Sequence, residues 1–172
     1  MVRVPEAEPR VGALRQRHDP SARLGVPAHI TLLYPFMAPA RIDGAVLRRA
    51  EAALAGEVAF PFRLHEVARF PATAWLAPEP AAPFVALTEA LVRAFPGFAP
   101  FGGAHPSIVP HLTVANGDAA EAAAVAVQLE RTMRLHGPID SFCGLVTLQE
   151  NSSGVWRTLH EFALPRRTAQ EP

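Results

Sequence analysis

Apolar and polar positions follow two rhythms along this chain, a helical one and an alternating one, and segments of each take turns. Val2 to Val4 reads as a short strand. Glu6 to His18 carries Val11 and Leu14 three apart, with Glu6 and Glu8 in the first turn, so it predicts a helix. Asp19-Pro20 should end that helix, because the residue before proline avoids the helical region. His29 to Tyr34 is β-branched and apolar and predicts a strand closed by Pro35. Asp43 is a candidate N-cap for a helix to Leu54, with Val46, Leu47, Ala50 and Leu54 on one side and Gly56 as its stop. Val58 to Phe70 predicts a strand whose Pro61 asks for an edge or a bulge, and Thr73 to Leu76 predicts its partner.

The rhythms then recur. Phe84 to Phe95 is an amphipathic helix stopped by Pro96-Gly97, and Pro96 to Pro110 is a Gly/Pro-rich loop long enough to be functional. His111 to Ala115 predicts a short strand, and Asp118 caps a helix to about Met133. Ile139 to Leu148 and Val155 to Leu164 predict strands joined through the turn-rich Asn151 to Gly154, with a frayed tail from Arg166 to Pro172. Residues 26–80 and 108–165 thus share one plan: a strand with His-x-Thr, an Asp-capped helix, then two strands. Trp75 follows His29 by 46 positions and Trp156 follows His111 by 45. The expectation is two lobes of one domain, spanning residues 1–172 and related by a pseudo-twofold axis.

The repeated His-x-Thr carries the chemistry. Residues two apart in a strand share a face, so His29 projects with Thr31 and His111 with Thr113, while Ile30, Leu32, Leu112 and Val114 turn inward. A pseudo-twofold would gather two imidazoles and two hydroxyls around one cleft. That set suits a phosphodiester. One histidine takes a proton from the entering oxygen, the other gives one to the leaving oxygen, and each role contributes about 10²–10⁴-fold in rate. The threonines would donate to the non-bridging oxygens; a hydrogen bond to a charged group is worth about 1.5–3 kcal/mol. A single His-x-Thr is a common accident. Two, each preceded by Val-Pro (Val26-Pro27-Ala28-His29 and Val109-Pro110-His111) and each at the same place in its half, are not.

The segments His29-Ile30-Thr31-Leu32 and His111-Leu112-Thr113-Val114 resemble the paired H-x-[ST]-hydrophobic signatures of the 2H phosphoesterase superfamily. That superfamily includes the 2′-5′ RNA ligase-like proteins and cyclic nucleotide phosphodiesterases. The resemblance spans nearly the whole chain, although only the two tetrapeptides are specific. It implies an α+β fold, bilobal, with antiparallel sheets lining a central cleft and helices outside. It implies metal-independent action, with no cofactor, on a 2′,3′-cyclic phosphate, a 2′-5′ linkage or a related nucleotide ester. Which histidine is acid and which is base stays open at this point.

Composition narrows the alternatives. With 172 residues, 49 % of them apolar, the chain can bury a sizeable core. Its 16 basic and 16 acidic residues cancel, against a protein that grips long nucleic acid by its backbone. A small nucleotide or the phosphodiester at an RNA end remains the expected partner, and a monomer the expected state. Every basic residue is Arg; this is read, with the Ala and Pro content, as coding bias. Cys143, the sole cysteine, sits in an apolar run and should be a buried inert thiol. Met1 to Glu8 does not resemble a secretory leader and no span of ~20 apolar residues occurs, so a cytoplasmic location is expected.

Other residues are open to two readings. Tyr34 and Phe36 either stack on a base or pack in the core or at its rim, and Trp75 and Trp156 are read as core. Arg157 either neutralises a phosphate or is a solvated strand charge. His105 lies in the loop before the second motif and is a candidate to cover the cleft. His18, His65, His136 and His160 lack a partner motif and are read as structural or surface residues. There is no His-x-His, no His-Glu-x-x-His, no Gly-x-Ser-x-Gly elbow and no Gly-rich phosphate loop. The rival to an enzyme is a non-catalytic nucleotide-binding module using the same cleft.

Overall fold

The computed structural model describes residues 1–104 and 107–166. Among the described residues, strands β1 (Val2–Arg3), β2 (His29–Ile30), β3 (Phe60–Phe70), β4 (Thr73–Glu79), β5 (Leu112–Asn116), β6 (Ile139–Cys143), β7 (Leu145–Glu150) and β8 (Arg157–Ala163) are interspersed with five α-helices and three short 3-10 turns. The α-helices are α1 (Glu8–His18), α2 (Pro20–Arg23), α3 (Gly44–Leu54), α4 (Ala82–Ala94) and α5 (Ala119–His136), so the class is α+β. The predicted caps form: Asp43 accepts from the amides of Ala45 and Val46, and Asp118 from that of Glu121. On α5 the buried positions Ala122, Val125, Ala126, Leu129 and Met133 make one apolar stripe.

The two halves exchange strands. Six antiparallel strands pair in the order β1-β2-β5-β4-β3-β6, while β7 and β8 form a hairpin. The first half's β3-β4 hairpin therefore flanks the second half's motif strand, β5. The β7–β8 hairpin joins on the other side, where Thr147 N–H donates to Met1 O (2.8 Å) and the Met1 amino group to Thr147 O (2.9 Å). Ala59 N–H reaches Pro165 O at 2.7 Å, bringing β8 round to the start of β3, and the sheet nearly closes as a barrel. Its core includes Ile30, Leu64, Leu76, Leu112 and Leu129, all buried. Phe60 and Phe62 each meet Phe84 of α4 edge to face, at 5.0 Å between centroids.

Two expectations change and one holds. The strand predicted over His29 to Tyr34 is only two residues long, because the carbonyl of Tyr34 accepts from Phe101 N–H and so ties that segment to a loop instead of a strand. Ile139 to Leu148 is two strands broken at Gly144: β6 pairs with β3, β7 pairs with β8, and Gly144 O accepts from Leu164 N–H between them. Pro61 stands where β3 pairs on one side only, with Phe142 of β6; the bulge lies farther on, between Leu64 and Glu66. The tail from residue 167 lies outside the described residues. Cys143 is buried as expected, and burial pushes its thiol up to about 12.

Leu112 is fully buried where the two motif strands meet, so Leu112→Ala should lower the unfolding free energy by about 2–5 kcal/mol. Leu135→Ala, at a position 77 % exposed, should change it by less than about 0.5 kcal/mol. Urea denaturation followed by fluorescence measures both.

Candidate active site

The first geometric fact is a register. β2 and β5 pair antiparallel with Ile30 opposite Leu112. Carrying that register one residue each way sets His29 beside Thr113 and Thr31 beside His111. Ile30 and Leu112 point into the core, so the alternation of side chains puts all four motif residues on the opposite face. In an antiparallel ladder continued this way the four would stand at the corners of a rectangle, with the histidines on one diagonal about 7–8 Å apart at the backbone. Thr31, His111 and Thr113 share the wall of one cavity, and His29 lies close enough to His111 for the two rings to interact electrostatically.

Each imidazole is anchored the same way. His29 Nδ1 lies 2.7 Å from Pro27 O, and His111 Nδ1 lies 2.7 Å from Val109 O. A carbonyl only accepts, so Nδ1 carries the hydrogen in both rings and Nε2 is left as the nitrogen for a ligand. The prolines stand at different offsets from the two histidines, yet the acceptor is two residues upstream in each. Rigid extended backbone before the strand supplies it.

The surroundings differ between corners. His111 is boxed by aromatic rings: Phe70 edge-on at 5.2 Å, Trp75 at 5.6 Å and Phe101 near-parallel at 6.2 Å. Phe101 holds a left-handed backbone conformation (φ 51°), unusual for an aromatic residue, with its N–H 2.5 Å from Tyr34 O. A cavity of about 510 Å³ opens here, with Thr31, Phe70, Phe101, His111, Thr113 and Asn116 in its wall. His29 is half-buried beside the Thr113 wall and is not among the lining residues. A hollow of about 570 Å³ between Arg3, Phe142 and Glu161 contains no motif residue.

Behind the first corner lies a buried charge. Arg15 of α1 is 2 % exposed, and its guanidinium donates to Thr113 O (3.1 Å), Val26 O (3.2 Å) and Asp19 Oδ2 (2.9 Å). Glu8 Oε1 is 3.7 Å from Arg15 and accepts from Ala28 N–H at 2.5 Å. Burial is the main reason the His29 imidazole is lowered to about 4. The positive charges of Arg15 and the amino terminus, and the proximity of His111, act in the same direction; the Pro27 carbonyl opposes them.

Several candidates lie elsewhere. Phe36 packs against Phe95 and Phe98 at 5.1 and 4.9 Å, in the core and not in the cavity. Tyr34 is 54 % exposed and contributes its carbonyl to Phe101, not its ring to the cavity wall. Arg157 is paired with the Glu150 carboxylate on the β7–β8 hairpin, which takes up its charge. His105 lies outside the described residues. Of the structural histidines, His18 bonds Glu121 at 2.6 Å and His160 packs on Phe162 at 4.7 Å. Among the described residues no three His, Cys, Asp or Glu side chains converge as a metal cage would. Sequence reasoning missed Arg15, Phe70 and Phe101, and it read Trp75 only as core. An arginine on the apolar stripe of α1, beside Val11 and Leu14, was the available signal.

Comparison with known proteins agrees with this arrangement. The family described as the 2′-5′ RNA ligase superfamily matches residues 4–160, and no curated protein matches the chain. The match takes in both motif strands, the helix that carries Arg15 and most of the β7–β8 hairpin: the chain belongs to the 2′-5′ RNA ligase superfamily, within the 2H phosphoesterases.

Proposed function

We propose that this protein is a metal-independent phosphodiesterase that opens a small nucleotide or RNA-end phosphodiester, a 2′,3′-cyclic phosphate or a 2′-5′ linkage, by two-histidine acid–base catalysis. The observation that carries the reading is the matched anchoring of His29 and His111. Both use Nδ1 on a carbonyl two residues upstream, and they flank the Ile30–Leu112 pair, one on each motif segment. A phosphoryl group centred over that pair has an imidazole at each end and a threonine hydroxyl on each side.

The two environments divide the labour. His29, held neutral by burial and by the cation behind it, takes the proton of a water or ribose hydroxyl as that oxygen bonds to phosphorus. The bond from phosphorus to the leaving oxygen breaks, and His111, protonated at Nε2, gives that oxygen its proton. Exchange with solvent resets both rings. Thr31 and Thr113 donate to the non-bridging oxygens as charge gathers there. The reverse reaction, starting from a cyclic phosphate and a 5′-hydroxyl, joins two ends without a nucleotide triphosphate. The apolar wall formed by Phe70 and Phe101 suits the uncharged sugar and base flanking the phosphate.

His29→Ala and His111→Ala should each lower kcat/KM for hydrolysis of a 2′,3′-cyclic nucleotide by about 10²–10⁴-fold. Thr31→Ala and Thr113→Ala should each cost roughly ten- to a hundredfold, and EDTA should change nothing. Steady-state assays on the four common 2′,3′-cyclic nucleotides and a 2′-5′ dinucleotide check this. Full activity in either histidine variant refutes the reading.

The pH dependence has a definite sign. A base with a lowered pKa stays competent as the solution is acidified, until protons reach it. The acid limb of kcat/KM should therefore fall near pH 4, where His29 protonates, and not near the ~6.5 of an unperturbed imidazole. A limb at 6.5 contradicts the assignment of His29 as the base.

A further inference from the structure

The buried guanidinium behind the sheet enters the chemistry just described only through its charge, and its bonding pattern points to a second role. An arginine on the buried stripe of a helix is expensive, since an apolar side chain of similar volume usually stabilises a core at least as well. Arg15 nevertheless sits there, 2 % exposed, with Nε and Nη1 on backbone carbonyls and Nη2 on Asp19. Its Nε meets the carbonyl of Thr113, next to the register shift between Ala74 and Trp75 in the β4–β5 ladder. Its Nη1 meets the carbonyl of Val26, at the start of the segment that leads into β2. Asp19, itself 2 % exposed, holds Nη2, and the other oxygen of Asp19 accepts from Ser21 N–H at 3.0 Å. Glu8, one side of the same helix, accepts from Ala28 N–H, immediately before His29.

The partners belong to both motifs. β2 has two residues and meets β5 through one residue pair, so its own ladder is a weak guarantor of spacing. A planar fork with donors in fixed directions links Thr113 to Val26 rigidly, which a point charge does not.

We propose that Arg15 is a positioning residue of the two-histidine site, clamping the backbone of both motif segments so that the His29 and His111 imidazoles keep the separation that in-line displacement needs. The proposal rests on the reading given above. Arg15 touches no reacting atom; it acts through the strands. A misplacement of about 1 Å at a reacting centre costs on the order of a hundredfold in rate, so loosening this clamp lowers kcat while leaving substrate affinity largely intact.

The test compares Arg15→Lys, which keeps the charge opposite Asp19 but loses the fork, with Arg15→Met/Asp19→Asn, which removes both buried charges together. Each is assayed beside His111→Ala on a 2′,3′-cyclic nucleotide that the unaltered protein hydrolyses, below the melting temperature found by circular dichroism. The expected result is kcat lowered roughly 10- to 100-fold in the double variant and by less in Arg15→Lys, with KM within about threefold in both. Unchanged kcat in a folded variant, or a loss confined to KM, overturns the proposal. Should the double variant not fold, Arg15→Lys decides alone. If His111→Ala is inactive and the Arg15 variants keep full kcat, only this proposal falls; if His111→Ala keeps full activity, the two-histidine reading falls first.

Discussion

Ile30 and Leu112 stand opposite each other where two short strands from distant parts of the chain run antiparallel, and both side chains are fully buried. Antiparallel pairing has a local twofold axis at such a pair. Any motif written as His-x-Thr on both strands is therefore presented twice, in opposite senses, on the face away from the core. A slip of one residue on either strand would send one histidine into the interior and an aliphatic side chain out. The hydrophobic demand for Ile30 and Leu112 inside thus fixes the polar arrangement outside. The site depends on this pairing more than on any contact the polar residues make with one another.

The rest of the fold steadies that pair and makes its two corners unequal. Strand exchange between halves puts β4 against β5, which brings Trp75 and Phe70 around His111. The loop after α4 adds Phe101, bound at its N–H to the end of the first motif segment. Around His29 there is instead burial, with a cation and two carboxylates behind it. Two imidazoles with the same local anchor thus meet different surroundings, the difference on which the proposed division into base and acid rests.

The legible part of this structure was legible through periodicity. Both Asp-capped helices, the hairpin of β3 and β4 and the matched placement of the two motifs follow from apolar spacing, capping residues and turn residues, all local signals. The extent of β2 was not, because the Tyr34 carbonyl is taken by Phe101, 67 positions away, a contact no local window contains. Nor was the break at Gly144, where an unbroken apolar run hides a change of partner strand. Aromatic residues misled for a related reason: Phe36 and Phe70 look alike in sequence, and only the strand exchange decides that one fills the core beside Phe95 and the other faces His111. Arg15 was passed over because basic residues on a surface helix are ordinary, and its burial shows only once α1 lies against β5.

The central claim is that two Nε2 atoms and two hydroxyls close on a single phosphoryl group, and a pentacoordinate analogue reports on that most directly. A crystal structure with a ribonucleoside and orthovanadate should show vanadium over the Ile30–Leu112 pair. Its apical oxygens should lie within about 3.2 Å of Nε2 of His29 and of His111, and its equatorial oxygens should accept from Thr31 and Thr113. Vanadate bound through only one histidine, or seated in the hollow beside Phe142, would contradict the account.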